Sequence, residues 1–132
     1  MMSEGENTPP SHRTIAVVDD DLGVRAALCN LLDSAGYRHC SFDCGEDFLT
    51  STCLPVAACA IVDLNLPRMS GFELAEQLRL LRPDLPVLFI SAQAAMLQRQ
   101  RAAAMGLALL PKPVDADTLL VLLTATLLYG PP

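Results

Sequence analysis

Ala57-Ala58-Cys59-Ala60-Ile61-Val62-Asp63-Leu64-Asn65-Leu66-Pro67-Arg68-Met69-Ser70-Gly71 changes character twice. Residues 57–62 are apolar throughout and too few for a typical helix, so they read as a strand buried on both faces. That strand ends on Asp63. Residues 64–71 are turn chemistry, with Asn, Pro, Ser and Gly close together. Ser70 and Glu73 have the spacing of a capping box. Behind them Leu74, Leu78 and Leu81 recur at helical spacing until Pro83 stops the helix. A doubly covered strand, a polar end and a helix form the repeating unit of a parallel α/β sheet.

The same unit recurs on both sides. Thr14–Val18 is a β-branched strand closed by Asp19, Asp20 and Asp21. Val24, Ala27, Leu28, Leu31 and Ala35 then give a helix ending at Gly36. Residues 37–42 read as a second strand and residues 45–51 as a short helix. Pro86–Ile90 is a fourth strand, closed by Ser91, and a helix follows over residues 94–105 with Gly106 at its end. Leu107–Leu110 is a fifth strand, and the last helix spans residues 115–129. The expected fold is α/β: a (βα)5, doubly wound, five-stranded parallel sheet of flavodoxin-like order 2-1-3-4-5, with helices on both faces.

One domain accounts for the 132 residues, with 52% apolar and 18% charged side chains. Residues 1–12 have little to bury and read as a disordered N-terminal tail, leaving 13–132 as the domain. The net charge of -6 argues against direct nucleic-acid binding and against anionic membranes. The polar, acidic start Met1-Met2-Ser3-Glu4-Gly5-Glu6 does not read as a signal peptide, and no stretch resembles a membrane span. Five cysteines without a CxxC pair read as reduced, buried thiols of a cytoplasmic protein. A zinc site is not expected, because His12 and His39 lack ligand spacing.

Polar side chains gather at the strand ends. In the proposed order Asp19, Asp20, Asp63, Ser91 and Lys112 converge on one edge, where parallel sheets place their sites. Lys112 is the chain's single lysine, set between Pro111 and Pro113 among eight arginines. Each residue has a plainer role open to it: Asp19 or Asp20 as a helix cap, Asp63 as a turn aspartate, Ser91 as a cap. Together they suggest a chemistry. Three close carboxylates repel one another, and a divalent cation such as Mg²⁺ relieves that. A carboxylate beside the metal can attack phosphorus, while Lys112 and Ser91 can stabilise the phosphoryl oxygens.

These residues resemble a response-regulator receiver domain of two-component signalling, in the CheY-like superfamily. The matching pieces are Val17-Val18-Asp19-Asp20, Ile61-Val62-Asp63-Leu64-Asn65-Leu66-Pro67 with Gly71, Phe89-Ile90-Ser91-Ala92, and Lys112-Pro113. The resemblance covers residues 13–129. It implies that Asp63 is the phosphoacceptor and that a sensor histidine kinase or phosphotransfer protein is the donor. It implies Mg²⁺ on Asp20, Asp63 and the backbone carbonyl of Asn65, with Asp19 acting through water. Ser91 matches the switch hydroxyl, Ala92 the small residue beside it, and Lys112 the family's lysine, typically followed by a cis bond to proline. Arg25 is also commonplace there. Such a domain is not a conventional enzyme but catalyses its own aspartyl phosphorylation and dephosphorylation. Its output is a surface around the fourth helix, fifth strand and fifth helix.

Three departures stand out. Leu109 occupies the position, three before the lysine, where the family usually has Phe or Tyr. The segment from Gly106 to Lys112 is about one residue short, so strand five is expected to be trimmed or bulged. Thr118–Tyr129 carries no charge, which suggests that the helix 115–129 meets a second copy or an output protein. The end at Gly130-Pro131-Pro132 leads us to expect no DNA-binding effector, with either a single-domain regulator or a fragment of a longer one left open. The alternative is a pseudo-receiver that binds proteins without phosphorylation. An aspartyl phosphohydrolase fits less well, because Asn65 stands where its acid would be. A dinucleotide site lacks its glycine-rich loop.

Overall fold

The computed structural model describes residues 13–129 apart from residue 94. The expected tail and the last three residues lie outside that range. The elements run β1 (Thr14–Val18), α1 (Leu22–Ser34), β2 (Arg38–Phe42), α2 (Gly45–Leu49) and β3 (Ala57–Asp63). They continue as α3 (Gly71–Leu81), β4 (Val87–Ser91), α4 (Met96–Ala104), β5 (Leu109–Pro111) and α5 (Ala116–Tyr129). The strands form one parallel sheet in the order β2-β1-β3-β4-β5.

Alternation along β1 shows why the sheet needs helices on both faces. Ile15 and Val17 join Leu28 and Leu32 of α1, Leu88 and Ile90 of β4, and Leu119 and Leu123 of α5. Ala16 and Val18 face the other way, into Phe48, Val62, Leu74, Leu78 and Phe89. With successive side chains pointing to opposite faces, an all-apolar strand is stable only between two layers.

The helix ends follow local chemistry. Ser70 caps α3 by accepting from the Glu73 amide at 3.2 Å, and the Glu73 carboxylate accepts from the Ser70 amide at 2.9 Å. Gly36 and Gly106 both have positive φ and close Schellman turns, with Tyr37 N donating to Leu32 O and Leu107 N to Ala102 O. The cap of α1 is Asp21, whose carboxylate accepts from the Val24 amide. Asp19 and Asp20 are therefore released from the capping role that the sequence had left open.

Some expectations are corrected. Leu81 is 54% exposed, and the buried stripe of α3 is instead Phe72, Leu74, Ala75 and Leu78. Ala27 is exposed, while Leu32, one turn beyond Leu28, is buried. Strand β5 is the trimmed form, three residues long, because the Gly106–Leu107 turn uses the start of the expected strand to finish α4. The five cysteines are not all thiols. Cys40 on β2 and Cys53 after α2 are joined as a disulfide, while Cys29, Cys44 and Cys59 are free. The pairing is possible because both residues pack into the layer between β2 and α2, a proximity that sequence spacing does not reveal.

Helix α5 is amphipathic in burial though not in composition. Leu119, Leu123, Thr126 and Leu127 are buried, whereas Val121, Leu128 and Tyr129 are exposed. No described helix is long and apolar enough to cross a membrane.

Candidate functional site

The carboxyl ends of β1, β3 and β4 and the turn after β5 bring Asp19, Asp20, Asp63, Ser91 and Lys112 to one edge of the sheet. Asp19 and Ser91 are fully buried and Asp63 is nearly so, whereas Asp20 is exposed. The Lys112 ammonium lies 2.8 Å from Asp19 Oδ2 and 3.2 Å from Asp63 Oδ2. Lys112 reaches this point because its amide donates to the Ser91 carbonyl at 2.9 Å, extending the β4–β5 ladder by one rung. The Lys112–Pro113 bond that follows is cis.

The remaining carboxylate oxygens are held by backbone. Asp19 Oδ1 accepts from the Asp21 amide at 2.9 Å, and Asp63 Oδ1 accepts from the Asn65 amide at 3.1 Å. Arg25 donates to the Asp19 carbonyl at 2.6 Å, tying α1 to the end of β1. On the far side of Asp63, Gly71 lets the turn close. A Cβ there would collide with the Asp63 carbonyl oxygen and stand 2.8 Å from Leu64 Cα.

Electrostatics are dominated by burial. It pushes the Asp19 carboxyl above its ordinary pKa, against hydrogen bonding from Lys112 and the Asp21 amide, and the charge of Asp63 adds to the rise. Burial also opposes the charge on Lys112, but Asp19 and Asp63 outweigh it and hold the ammonium above its ordinary pKa.

A hard cation suits this donor set. One oxygen each from Asp19, Asp20 and Asp63 can lie within 4.8 Å of the others. Asp19 Oδ2 has the Lys112 ammonium beside it at 2.8 Å, and that same ammonium also serves Asp63 Oδ2. Three clustered carboxylates, two of them buried and sharing a single ammonium, are a donor set that a small divalent cation would satisfy.

Ser91 does not face Asp63 through any described hydrogen bond. Its hydroxyl lies 3.0 Å from the Gln93 carbonyl and 3.4 Å from Gln98 Oε1, and it accepts from the Gln93 amide at 3.1 Å. Leu109, half-buried, packs into the α2–α3 face of the core, opposite Phe89 in the sheet register. Gln98 carried no signal in the sequence, being one of several polar residues on a helix with little apolar pattern.

The family model described as "Response regulator receiver domain" matches residues 15–124. The chain belongs to the response-regulator receiver domain family. Nodulation protein W of Bradyrhizobium diazoefficiens is 32% identical to this receiver over 104 residues, covering 78% of the chain and 46% of that protein. The solved structure of the response regulator StyR is 40% identical, with a TM-score of 0.74 over 83% of this receiver and 56% of that chain. A response-regulator structure from Chloroflexus aurantiacus covers 89% of this receiver and 98% of that chain, with a TM-score of 0.81 and 28% identity. The chain spans about half the length of the first relatives it matches by sequence.

Proposed function

We propose that this receiver takes a phosphoryl group from the phosphohistidine of a sensor histidine kinase or phosphotransfer protein onto Asp63, with Mg²⁺ as cofactor. The observation that carries the reading is Lys112, whose ammonium bridges Asp19 and Asp63 at the carboxyl edge of the sheet. An Asp63 carboxylate oxygen forms the bond to phosphorus as the P–N bond breaks, and the imidazole leaves with the electron pair. Lys112 is placed to pair with a phosphoryl oxygen, and the amides after Asp63 can donate to another. Asp20, Asp63 and the Asn65 carbonyl would hold Mg²⁺, with Asp19 acting through water. The metal would neutralise charge on the phosphoryl oxygens.

Two surfaces support partners. A groove of about 490 Å³ opens beside the site, lined by Val24, Ala27, Leu28 and Leu31 of α1 and by Pro113 and Val114. Its apolar floor, with Asp21 and Lys112 at the rim, suits an amphipathic helix of the donor protein. The exposed side of α5, with Val121, Leu128 and Tyr129, suits a second copy of this chain or an output protein. The donor domains of such kinases operate in the cytoplasm, and this protein is assigned there.

Leu109 favours a second reading, a pseudo-receiver that binds its partner without phosphorylation, because leucine has no ring to swing and no hydroxyl to exchange partners. The intact set Asp19, Asp20, Asp63, Ser91 and Lys112 weighs against it. Intact mass after incubation with Mg²⁺ and acetyl phosphate separates the two. One phosphoryl adduct, lost in Asp63→Asn, supports the receiver, and no adduct supports the pseudo-receiver.

A further inference from the structure

With a leucine at position 109, the phosphoryl site needs another route to the surface, and the surroundings of Ser91 supply one. The Ser91 hydroxyl is completely buried and occupied. It has one proton and two lone pairs. The Gln93 amide and carbonyl, at 3.1 and 3.0 Å, take one lone pair and the proton. The second lone pair faces the Gln98 side-chain amide, whose Oε1 stands 3.4 Å away. An oxygen there competes for a proton already used. With the amide turned over, Nε2 donates to the remaining lone pair of the hydroxyl. Either way the hydroxyl is directed at the β4–α4 turn and α4, not at Asp63.

Helix α4 is built to respond. Ala102 is its one fully buried side chain among the described residues. Its N-cap, Ala95, offers no side-chain cap. Its later half is anchored by Arg101 over the Phe72 ring at 4.3 Å and by Arg79 donating to the Met105 carbonyl at 2.9 Å. In its first turn Gln98 is half-buried between exposed neighbours, and its contact with Ser91 ties that turn to the end of β4. A helix pinned at one end and held by a polar link at the other can pivot when the link is exchanged.

We propose that Gln98 is a positioning residue: it holds the Ser91 hydroxyl away from Asp63 in the unphosphorylated protein and transmits its departure to α4. This rests on the reading of Asp63 as phosphoacceptor. When the Ser91 hydroxyl turns to donate a hydrogen bond to a phosphoryl oxygen on Asp63, its oxygen leaves Gln98 as well as Gln93, and the first turn of α4 is released. The aromatic residue that would report the same movement through β5 is dispensable in this chain, because the signal leaves through α4 directly.

The test is amide hydrogen exchange over residues 96–104, with and without Mg²⁺ and acetyl phosphate. Intact mass is recorded on the same samples. The proteins are the parent, Gln98→Ala, Ser91→Ala and the double variant. In the unphosphorylated state Gln98→Ala should speed exchange of the first hydrogen-bonded amides of α4, from Arg99 onward, about five-fold, the population shift that one net hydrogen bond supports. Exchange in α1 should not change, which separates the effect from global loss of stability. Ser91→Ala should act in the same direction, and the double variant should add little, because both remove one link. Phosphorylated parent should resemble unphosphorylated Gln98→Ala in this turn. Additive effects of the two substitutions, or parent-like exchange in Gln98→Ala, would overturn the proposal while the adduct on Asp63 still formed. Absence of that adduct in the parent would instead remove the phosphoacceptor reading, and the proposal with it.

Discussion

The Lys112 ammonium stands 3.2 Å from Asp63 Oδ2, a contact across 49 residues of sequence. The contact depends on the fold at both ends: Asp63 terminates the central strand β3, and Lys112 extends edge strand β5 by a single hydrogen bond to Ser91. An ammonium is a compact charge that can serve Asp19 and Asp63 at once. A guanidinium is a wider planar fork. Lys112→Arg should therefore slow formation of the Asp63 adduct roughly tenfold, the size of one charged hydrogen bond, with the fold retained. Adduct growth by mass, alongside circular dichroism, checks this.

Gly71 is a steric requirement of the turn that follows Asp63. Its missing Cβ is the space occupied by the Asp63 carbonyl oxygen. Gly71→Ala should cost about 1–3 kcal/mol in urea unfolding, the usual range for overpacking, because the obstacle is backbone that cannot rotate away. It should also slow adduct formation, since relief of the clash displaces Asp63 itself.

Metal binding should show in stability before it shows in activity. Mg²⁺ at a hundred times its dissociation constant should add about 2.7 kcal/mol to unfolding free energy. Asp20→Asn should abolish most of that gain. Since Asp20 is exposed, the substitution should change metal-free stability by less than about 0.5 kcal/mol. The pH dependence should differ with and without metal. Folded Asp19 keeps its proton to a higher pH than unfolded Asp19, because burial disfavours its charge. This group therefore makes metal-free stability fall as pH rises from the ordinary aspartate value through the raised one. The gain from Mg²⁺ should grow over that same interval, because binding needs the carboxylate. Urea midpoints against pH, with and without Mg²⁺, measure both slopes.

Cys59 should oppose stability at alkaline pH. It is completely buried on β3, and burial pushes its thiol up to about 12. In the unfolded chain a thiol ionises near about 8.5. Between those values the native state holds a proton that the unfolded state has lost, so stability falls as pH rises. Cys59→Ala should flatten the decline in urea midpoint between about pH 8 and about pH 10, whatever its cost at neutral pH. An unchanged slope would assign the decline to the other two thiols, Cys29 and Cys44, which burial also pushes up.

Much of the fold was legible in the sequence because it rests on local or near-local chemistry. The all-apolar run at Ala57–Val62, the Ser70–Glu73 capping box and the glycines at 36 and 106 each have one stable local solution, and the structure adopts it. The convergence of Asp19, Asp63, Ser91 and Lys112 was also legible, once parallel strands put their carboxyl ends on one edge. What was hidden depends on packing between elements. Nothing in the spacing of Cys40 and Cys53 announces a disulfide, and Leu81 fits the helical period yet lies at 54% exposure because α3 turns Phe72 and Ala75 inward. Gln98 matters through a contact with Ser91 that only the folded chain creates.

The central claim is that Asp63 accepts a phosphoryl group. The most direct measurement is intact mass of the parent and Asp63→Asn after incubation with acetyl phosphate, each with Mg²⁺ and with excess chelator. The account predicts a single phosphoryl adduct on the parent in Mg²⁺ alone, mapped to Asp63, and none on the variant. An unmodified parent, or an equal adduct on Asp63→Asn, would contradict it.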